Sequence, residues 1–328
     1  MMDYVGLGRS GLKVSRLCLG TMTFGREADE ETSFRIMDRF VELGGTFIDT
    51  ADMYSSGGAE EVVGRWMKQR GNREAIVLAT KVWAVMGPGP NNGGLSRIHI
   101  QQAVEASLRR LQTDVIDLYQ IHRWDPGVPP EETLEVLNDL VRQGKVRYIG
   151  ASNLRAWQLG EYMHLSEQHH WSHLASVQPL YNVVNRNIEN ELLPYATRLG
   201  LGVMTYNPLA GGMLTGKYKR GEPMPTGARL EAFQSYYERY YADEVIELVE
   251  RFVNAAGQRQ VTPAQLALAW VMSESRVTCP ILGARSVEQF SDTIKGADIR
   301  LTPEERAAVP AVLPGRWLGK DPFVDYGL

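Results

Sequence analysis

Short apolar runs recur along the chain, and longer segments with apolar residues every three or four positions lie between them. The runs Leu17–Leu19, Thr46–Asp49, Ile76–Ala79, Ile116–Gln120, Tyr148–Gly150, Ser176–Gln178, Gly202–Thr205 and Cys279–Leu282 are each bounded by Gly, Asn, Asp or Pro and read as strands. The periodic segments are Thr32–Leu43, Ala59–Lys68, Ile98–Leu111, Glu131–Val141, Asn187–Leu199 and Ala264–Val271. Their spacing is that of amphipathic helices. Gly44 and Gly45 stop the first. Strands that alternate with helices predict an α/β protein with a parallel sheet. Spacing alone leaves two architectures open, a closed (β/α)8 barrel and an open doubly wound sheet.

Two stretches break the rhythm. The first, Gly6-Leu7-Gly8-Arg9-Ser10-Gly11, fits a dinucleotide-binding G-x-G-x-x-G pattern, but only five residues precede it. A buried strand should come before such a motif and a helix after it. Here the next residues, Leu12 to Leu17, alternate at period two, so a glycine-rich hairpin turn is the better reading. The second stretch, residues 210–241 after the seventh strand, is rich in Gly, Pro, Tyr and Arg and has no clear core face. It reads as a long loop closing over one end of the fold.

Composition narrows the class. The 328 residues are 44% hydrophobic and 23% charged, which excludes a disordered or collagen-like chain. With 35 basic and 39 acidic residues the net charge is −4, so no basic field is expected to draw nucleic acid or an anionic membrane. Two cysteines, Cys18 and Cys279, cannot build a disulfide framework or a four-cysteine zinc site. No secretory signal pattern and no transmembrane run is read, so a cytoplasmic protein is the default expectation.

Of the histidines, His164, His169, His170 and His173 lie in the polar segment Glu161–Ser172 or just beyond it, and read as a solvated helix or loop. No metal is expected. His122 differs because it ends an apolar run. From position alone it is either a residue of the loop-lined mouth where barrel active sites lie or a strand-end histidine bonded to backbone. Other strand ends also lead to polar groups: Asp49 and then Tyr54, Lys81, Ser152 with Asn153, Gln178, and Tyr206 with Asn207.

These motifs resemble those of the aldo-keto reductases. The matching stretches are Gly45 to Tyr54, Thr80-Lys81-Val82-Trp83, Leu108 to Asp114 with Ile116 to His122, Ile149 to Asn153, Val177 to Asn182, and Tyr206-Asn207-Pro208-Leu209. They occur in order from about Tyr4 to about Pro303. The resemblance implies one (β/α)8 TIM barrel domain over residues 1–328, with an N-terminal β-hairpin and a long cofactor-covering loop after the seventh strand.

The resemblance also implies NADPH-dependent reduction of an aldehyde or ketone. The catalytic tetrad would be Asp49, Tyr54, Lys81 and His122. At the nicotinamide end of the cofactor would lie Ser152, Asn153, Gln178 and the stacking ring of Tyr206, with Thr21, Met22 and Asp49 nearby. Asn207, Leu209, Gly211 and Lys217 would follow the pyrophosphate. Gly283, Arg285, Gln289 and Asp292 would meet the adenine end, and Arg285 suits a 2′-phosphate, which favours NADPH over NADH. The chain departs from the common pattern at Asn207, Leu282, Gln289 and Asp292-Thr293, where Ser, Pro, a basic residue and Glu-Asn are frequent. Phe24, Tyr54, Trp83, His122 and Trp124 would contact a small carbonyl substrate. A nicotinamide-binding regulatory subunit with negligible turnover is the alternative. Monomer and homo-oligomer are not distinguished.

Overall fold

The computed structural model describes residues 2–219, 222, 225, 240 and 242–316. Eight strands form a closed barrel: β3 (Cys18–Gly20), β4 (Phe47–Asp49), β5 (Val77–Val82), β6 (Ile116–Ile121), β7 (Val146–Ser152), β8 (Leu174–Gln178), β9 (Gly202–Thr205) and β10 (Cys279–Leu282). Each pairs in parallel with the next, and β10 closes on β3. All eight predicted strands are present, and the closed order decides for the barrel.

Helices α1 (Glu30–Glu42), α2 (Gly58–Arg70), α3 (Arg97–Leu111), α4 (Pro130–Arg142), α5 (Ala156–His169), α6 (Leu192–Leu199), α7 (Asp243–Gln258), α8 (Pro263–Met272), α9 (Val287–Thr293) and α10 (Pro303–Ala308) accompany the strands. Their starts follow local chemistry. Asp29 and Ser96 accept from backbone N–H groups in the first turns of α1 and α3, and Thr262 and Gln265 cap α8 reciprocally. No helix among the described residues is long and apolar enough to cross a membrane.

No helix is predicted from the sequence at α7, α9 or α10, and three further segments differ from the sequence-based expectation. The histidine-rich segment belongs to α5, which buries Leu159, Tyr162, Leu165 and Ser166 beneath a polar outer face. The helix ends at His169, and His170 takes a left-handed φ of 54°, so His169 and His173 do not share a helix face. The predicted helix Asn187–Leu199 is broken: a 3-10 turn covers Asn187–Glu189, and α6 starts only at Leu192. In the long loop, Ala210–Thr215 forms a 3-10 turn that buries Ala210, Met213 and Leu214, so this end does have a core face. Residues 220–221, 223–224, 226–239 and 241 of that loop lie outside the described residues.

The glycine-rich start is the predicted hairpin, β1 (Tyr4–Gly6) with β2 (Lys13–Ser15). It seals the end of the barrel at which the strands start. Leu7 and Val14 are fully buried and join Cys18, Phe47, Ala79, Leu118, Met204 and Cys279 inside the barrel. Gly8 is needed there: its φ is +61°, and a Cβ would lie 2.4 Å from Gly200 O and Gly202 N. Burial pushes both cysteine thiols up, so they are inert packing groups.

Candidate active site

Above this apolar floor the barrel interior turns polar. Phe47 and Asp49 lie two apart on β4, as do Leu118 and Gln120 on β6 and Ser176 and Gln178 on β8, so each pair shares the inward face. Asp49, Gln120 and Gln178 thus form a layer supplied by alternate strands. Gln120 Nε2 and Gln178 Nε2 both donate to Asp49 Oδ1, at 2.9 and 3.0 Å, and Gln178 Nε2 also donates to Gln120 Oε1 at 3.1 Å. Two amides therefore orient one buried carboxylate.

The other oxygen of that carboxylate meets Lys81. Lys81 Nζ donates to Asp49 Oδ2 at 2.5 Å and to the Thr50 carbonyl at 2.7 Å, and it lies 3.3 Å from the Tyr54 hydroxyl. Lys81 is fully buried and Asp49 nearly so. Burial works against the ammonium. Asp49 and Tyr54 outweigh that effect and hold the lysine above its ordinary value, so it stays charged. His122 follows β6, and its backbone N–H donates to the Val82 carbonyl at 2.9 Å. Its ring stands edge-on to Tyr54, with centroids 5.9 Å apart. Removal from water, with Lys81 and Arg123 nearby, pushes the imidazole well below its ordinary value, so it is neutral at neutral pH. The structure thus brings Asp49, Tyr54, Lys81 and His122 together at the C-terminal mouth.

A second group of sequence-predicted residues is also gathered. Asn153, with φ +56°, donates through Nδ2 to the His122 carbonyl at 2.9 Å and to Ser152 Oγ at 3.0 Å, and the Tyr206 hydroxyl donates to Asn153 Oδ1 at 2.8 Å. Ser152 Oγ donates to the Gln178 carbonyl at 2.8 Å. Asn207, with φ +62°, accepts from the Gly211 N–H at 2.6 Å. Leu209 opens the 3-10 turn and accepts from Gly212 N–H at 2.9 Å. A Cβ on Gly212 would lie 3.3 Å from Lys217 Nζ, so that ammonium sits directly over the turn. Thr21 is buried and donates to the Asp49 carbonyl, whereas Met22 is exposed.

Other expected residues are differently disposed. Phe24 is fully enclosed in the hydrophobic core, and its carbonyl accepts from Ser55 Oγ at 2.7 Å. Asp292 is engaged within the fold, with Oδ1 bonded to Gln265 and Oδ2 to Thr262. Gln289 Oε1 accepts from the Arg285 N–H at 3.3 Å, closing the turn after Gly283. Arg123 stacks over Trp83 at 4.0 Å, and Trp124 packs edge-on against Trp157 and Tyr162.

Several residues around the site were missed from the sequence. Gln120 was findable, because it lies on β6 two positions before His122, which follows that strand. Trp157 is an exposed ring on the first turn of α5 and gave no signal. Asp52, Thr80, Glu60 and Arg110 form a buried polar cluster behind the strand that carries Lys81. Burial and the neighbouring Glu60 push the Asp52 carboxyl up to about 7.

The fold is a closed (β/α)8 barrel whose C-terminal mouth gathers a carboxylate, an ammonium, a phenol and an imidazole. A family model described as "Aldo/keto reductase family" matches residues 16–313, and the chain belongs to that family. It is 41% identical over 324 residues to the uncharacterized oxidoreductase YrpG of Bacillus subtilis, covering 96% of this chain and 97% of the relative. It is 38% identical over 310 residues to a protein of Arabidopsis thaliana named "Probable voltage-gated potassium channel subunit beta", covering 92% and 94%. It is 34% identical over 332 residues to aldo-keto reductase AFTS1 of Alternaria alternata, covering 92% and 89%.

Proposed function

We propose that this chain is an NADPH-dependent reductase that converts an aldehyde or ketone to an alcohol. The observation that carries the reading is Lys81, whose ammonium touches a buried carboxylate on one side and a phenol on the other. Such a site is built to move one proton.

The cofactor has a fitting set of donors. Asn207 Nδ2 is buried and without a hydrogen-bond partner among the described residues. The glycine turn at 211–212 brings backbone close to Lys217. A diphosphate would accept from Asn207 Nδ2 and be drawn to the Lys217 ammonium, because an amide donor and a positive charge suit phosphate oxygens. Ser152, Asn153, Gln178 and Tyr206 would hold the nicotinamide, beside Thr21 and Met22. Arg285 would take the 2′-phosphate, which favours NADPH. A reduced nicotinamide, when bound, supplies hydride to the substrate carbonyl carbon.

The remaining chemistry belongs to this chain. Charge develops on the carbonyl oxygen as the carbon is reduced, and the Tyr54 hydroxyl donates its proton to that oxygen. A free tyrosine, with a pKa of about 10, is a reluctant donor. The Lys81 ammonium stabilises the phenolate left behind, and Asp49 keeps Lys81 charged and fixed. His122, neutral, donates a hydrogen bond that orients the oxygen. The exposed apolar side chains Met22, Met53 and Val85 sit on loops that follow barrel strands and Trp157 on the first turn of α5, which favours an apolar carbonyl compound.

Tyr54→Phe tests this reading. General acid catalysis contributes about 10²–10⁴-fold, so kcat should fall by that factor while NADPH binding persists. Near wild-type turnover by the variant would overturn the assignment. The relatives named as channel subunits favour a second reading, in which the chain binds the cofactor and acts as a regulatory subunit. It predicts tight NADPH binding with no aldehyde-dependent oxidation.

A further inference from the structure

The backbone that presents Tyr54 is contorted. Ser55, Ser56 and Gly57 have φ of 50°, 54° and 96°, three left-handed residues in succession, two of them with side chains. Such backbone persists only where its surroundings over-determine it. Here it is held from two sides. On one, Ser55 Oγ donates to the Phe24 carbonyl at 2.7 Å. On the other lies Arg110 of α3, against which only glycine fits: a Cβ on Gly57 would come within 2.8 Å of Arg110 Cδ.

Arg110 is in turn fixed by Glu60, a fully buried carboxylate in the first turn of α2. Arg110 Nε donates to Glu60 Oε2 at 2.7 Å. The other oxygen, Oε1, accepts from Thr80 Oγ1 at 2.5 Å. Thr80 immediately precedes Lys81 on β5. One carboxylate therefore ties the support of the Tyr54 turn to the strand that carries the Tyr54 partner. An ion pair that merely packed α2 on α3 would need no bond to β5.

We propose that Glu60 is a positioning residue of this site, which sets the Tyr54 hydroxyl against the Lys81 ammonium through Arg110 and Gly57 on one side and Thr80 on the other. The proposal rests on the reading of Tyr54 as the proton donor. It assigns Glu60 no contact with substrate or cofactor. Its role is to keep two elements, the turn after β4 and strand β5, in one relative position.

The test has a readout that needs no turnover. Phenolate absorbance is titrated in the wild type and in Tyr54→Phe, and the difference isolates Tyr54. The same difference is then taken in a Glu60→Gln background. Loss of positioning weakens the Lys81 contact and moves the Tyr54 titration up by about one pH unit. Loss of a negative charge acting only through space would move it down. In NADPH-dependent carbonyl reduction, Glu60→Gln should lower kcat about tenfold or more, as misplacement of a reacting group does. NADPH affinity and the carbonyl KM should stay within about twofold. If Glu60→Gln does not fold, the double variant Glu60→Gln/Arg110→Met removes both charges and is read in the same way. An unchanged or lowered Tyr54 titration overturns the proposal, as does a variant that loses only thermal stability and keeps kcat. A raised titration in a protein whose wild type reduces no carbonyl compound supports the positioning role and overturns the reductase reading instead.

Discussion

Thr80 and Lys81 are neighbours on β5 and serve opposite faces of the barrel wall. Lys81 reaches inward, to Asp49 Oδ2 and the Tyr54 hydroxyl, while Thr80 reaches outward, to Glu60. The period of two along a strand makes this unavoidable. A single peptide unit thus connects the polar interior of the mouth to the buried charge cluster that lies between the strand and the helices around it. Displacement of either side chain is felt at the other, which is why the outer cluster belongs in any account of the site.

That cluster predicts a pH-dependent stability. Asp52 titrates at about 7 in the folded protein, against an ordinary value of 3.8. Between these values the folded state holds a proton that the unfolded chain has released. Stability therefore falls as pH rises from about 4 to about 7 and is level above that. Asp52→Asn removes this slope and should be more stable than the wild type at pH 8, by up to about 4 kcal/mol. Urea unfolding of both proteins at pH 5 and pH 8 measures it. Equal pH slopes in the two would sink the prediction.

Gly8→Ala should weaken the seal at the base of the barrel. The residue needs φ +61°, and the new methyl would strike Gly200 and Gly202 backbone. The hairpin must lift, exposing Leu7 and Val14, whose burial is worth about 1.5–3 kcal/mol each. A loss of about 2 kcal/mol or more is expected in chemical denaturation, with kcat per folded molecule unchanged because the mouth lies at the other end. A variant as stable as the wild type would show that the hairpin contributes nothing to closure.

Arg285→Ala should separate the two nicotinamide cofactors. A guanidinium opposite a 2′-phosphate forms charge-assisted hydrogen bonds that NADH cannot make. The variant should bind NADPH about tenfold more weakly, with NADH affinity within about twofold of the wild type. Tryptophan fluorescence titration with each cofactor reads both numbers. An equal loss for the two cofactors would move the 2′-phosphate contact to another residue.

Much of the architecture was legible along the chain, because parallel strands buried on both faces read as short apolar runs and their covering helices as amphipathic periods. All eight barrel strands were found this way. The helix α5 was legible only as a solvated helix or loop, since its outer face carries the histidines and glutamates that dominate a linear reading, and α7, α9 and α10 were not assigned. The break at Asn190–Glu191 was also invisible, because the apolar spacing continues through it. Asp49, Tyr54, Lys81 and His122, which the structure brings together at the mouth, stood out in the sequence as polar groups at or just beyond strand ends within recognisable motifs. Gln120 obeyed the same alternation and was overlooked.

The amino-acid sequence by itself determined the order of elements, the polar strand ends and the family to which they belong. Those follow from local chemistry: apolar period, turn residues and motif spacing. Strand spacing left the closure of the sheet open and only the resemblance implied it; the tertiary structure shows it, with β10 pairing β3 across almost the whole chain. Tertiary structure alone placed Glu60, fifty residues from Arg110 and twenty from Thr80, where one carboxylate joins both. Charges distant in sequence acquire a common role only when burial removes water as their alternative partner, and burial is a property of the folded barrel rather than of any segment in it.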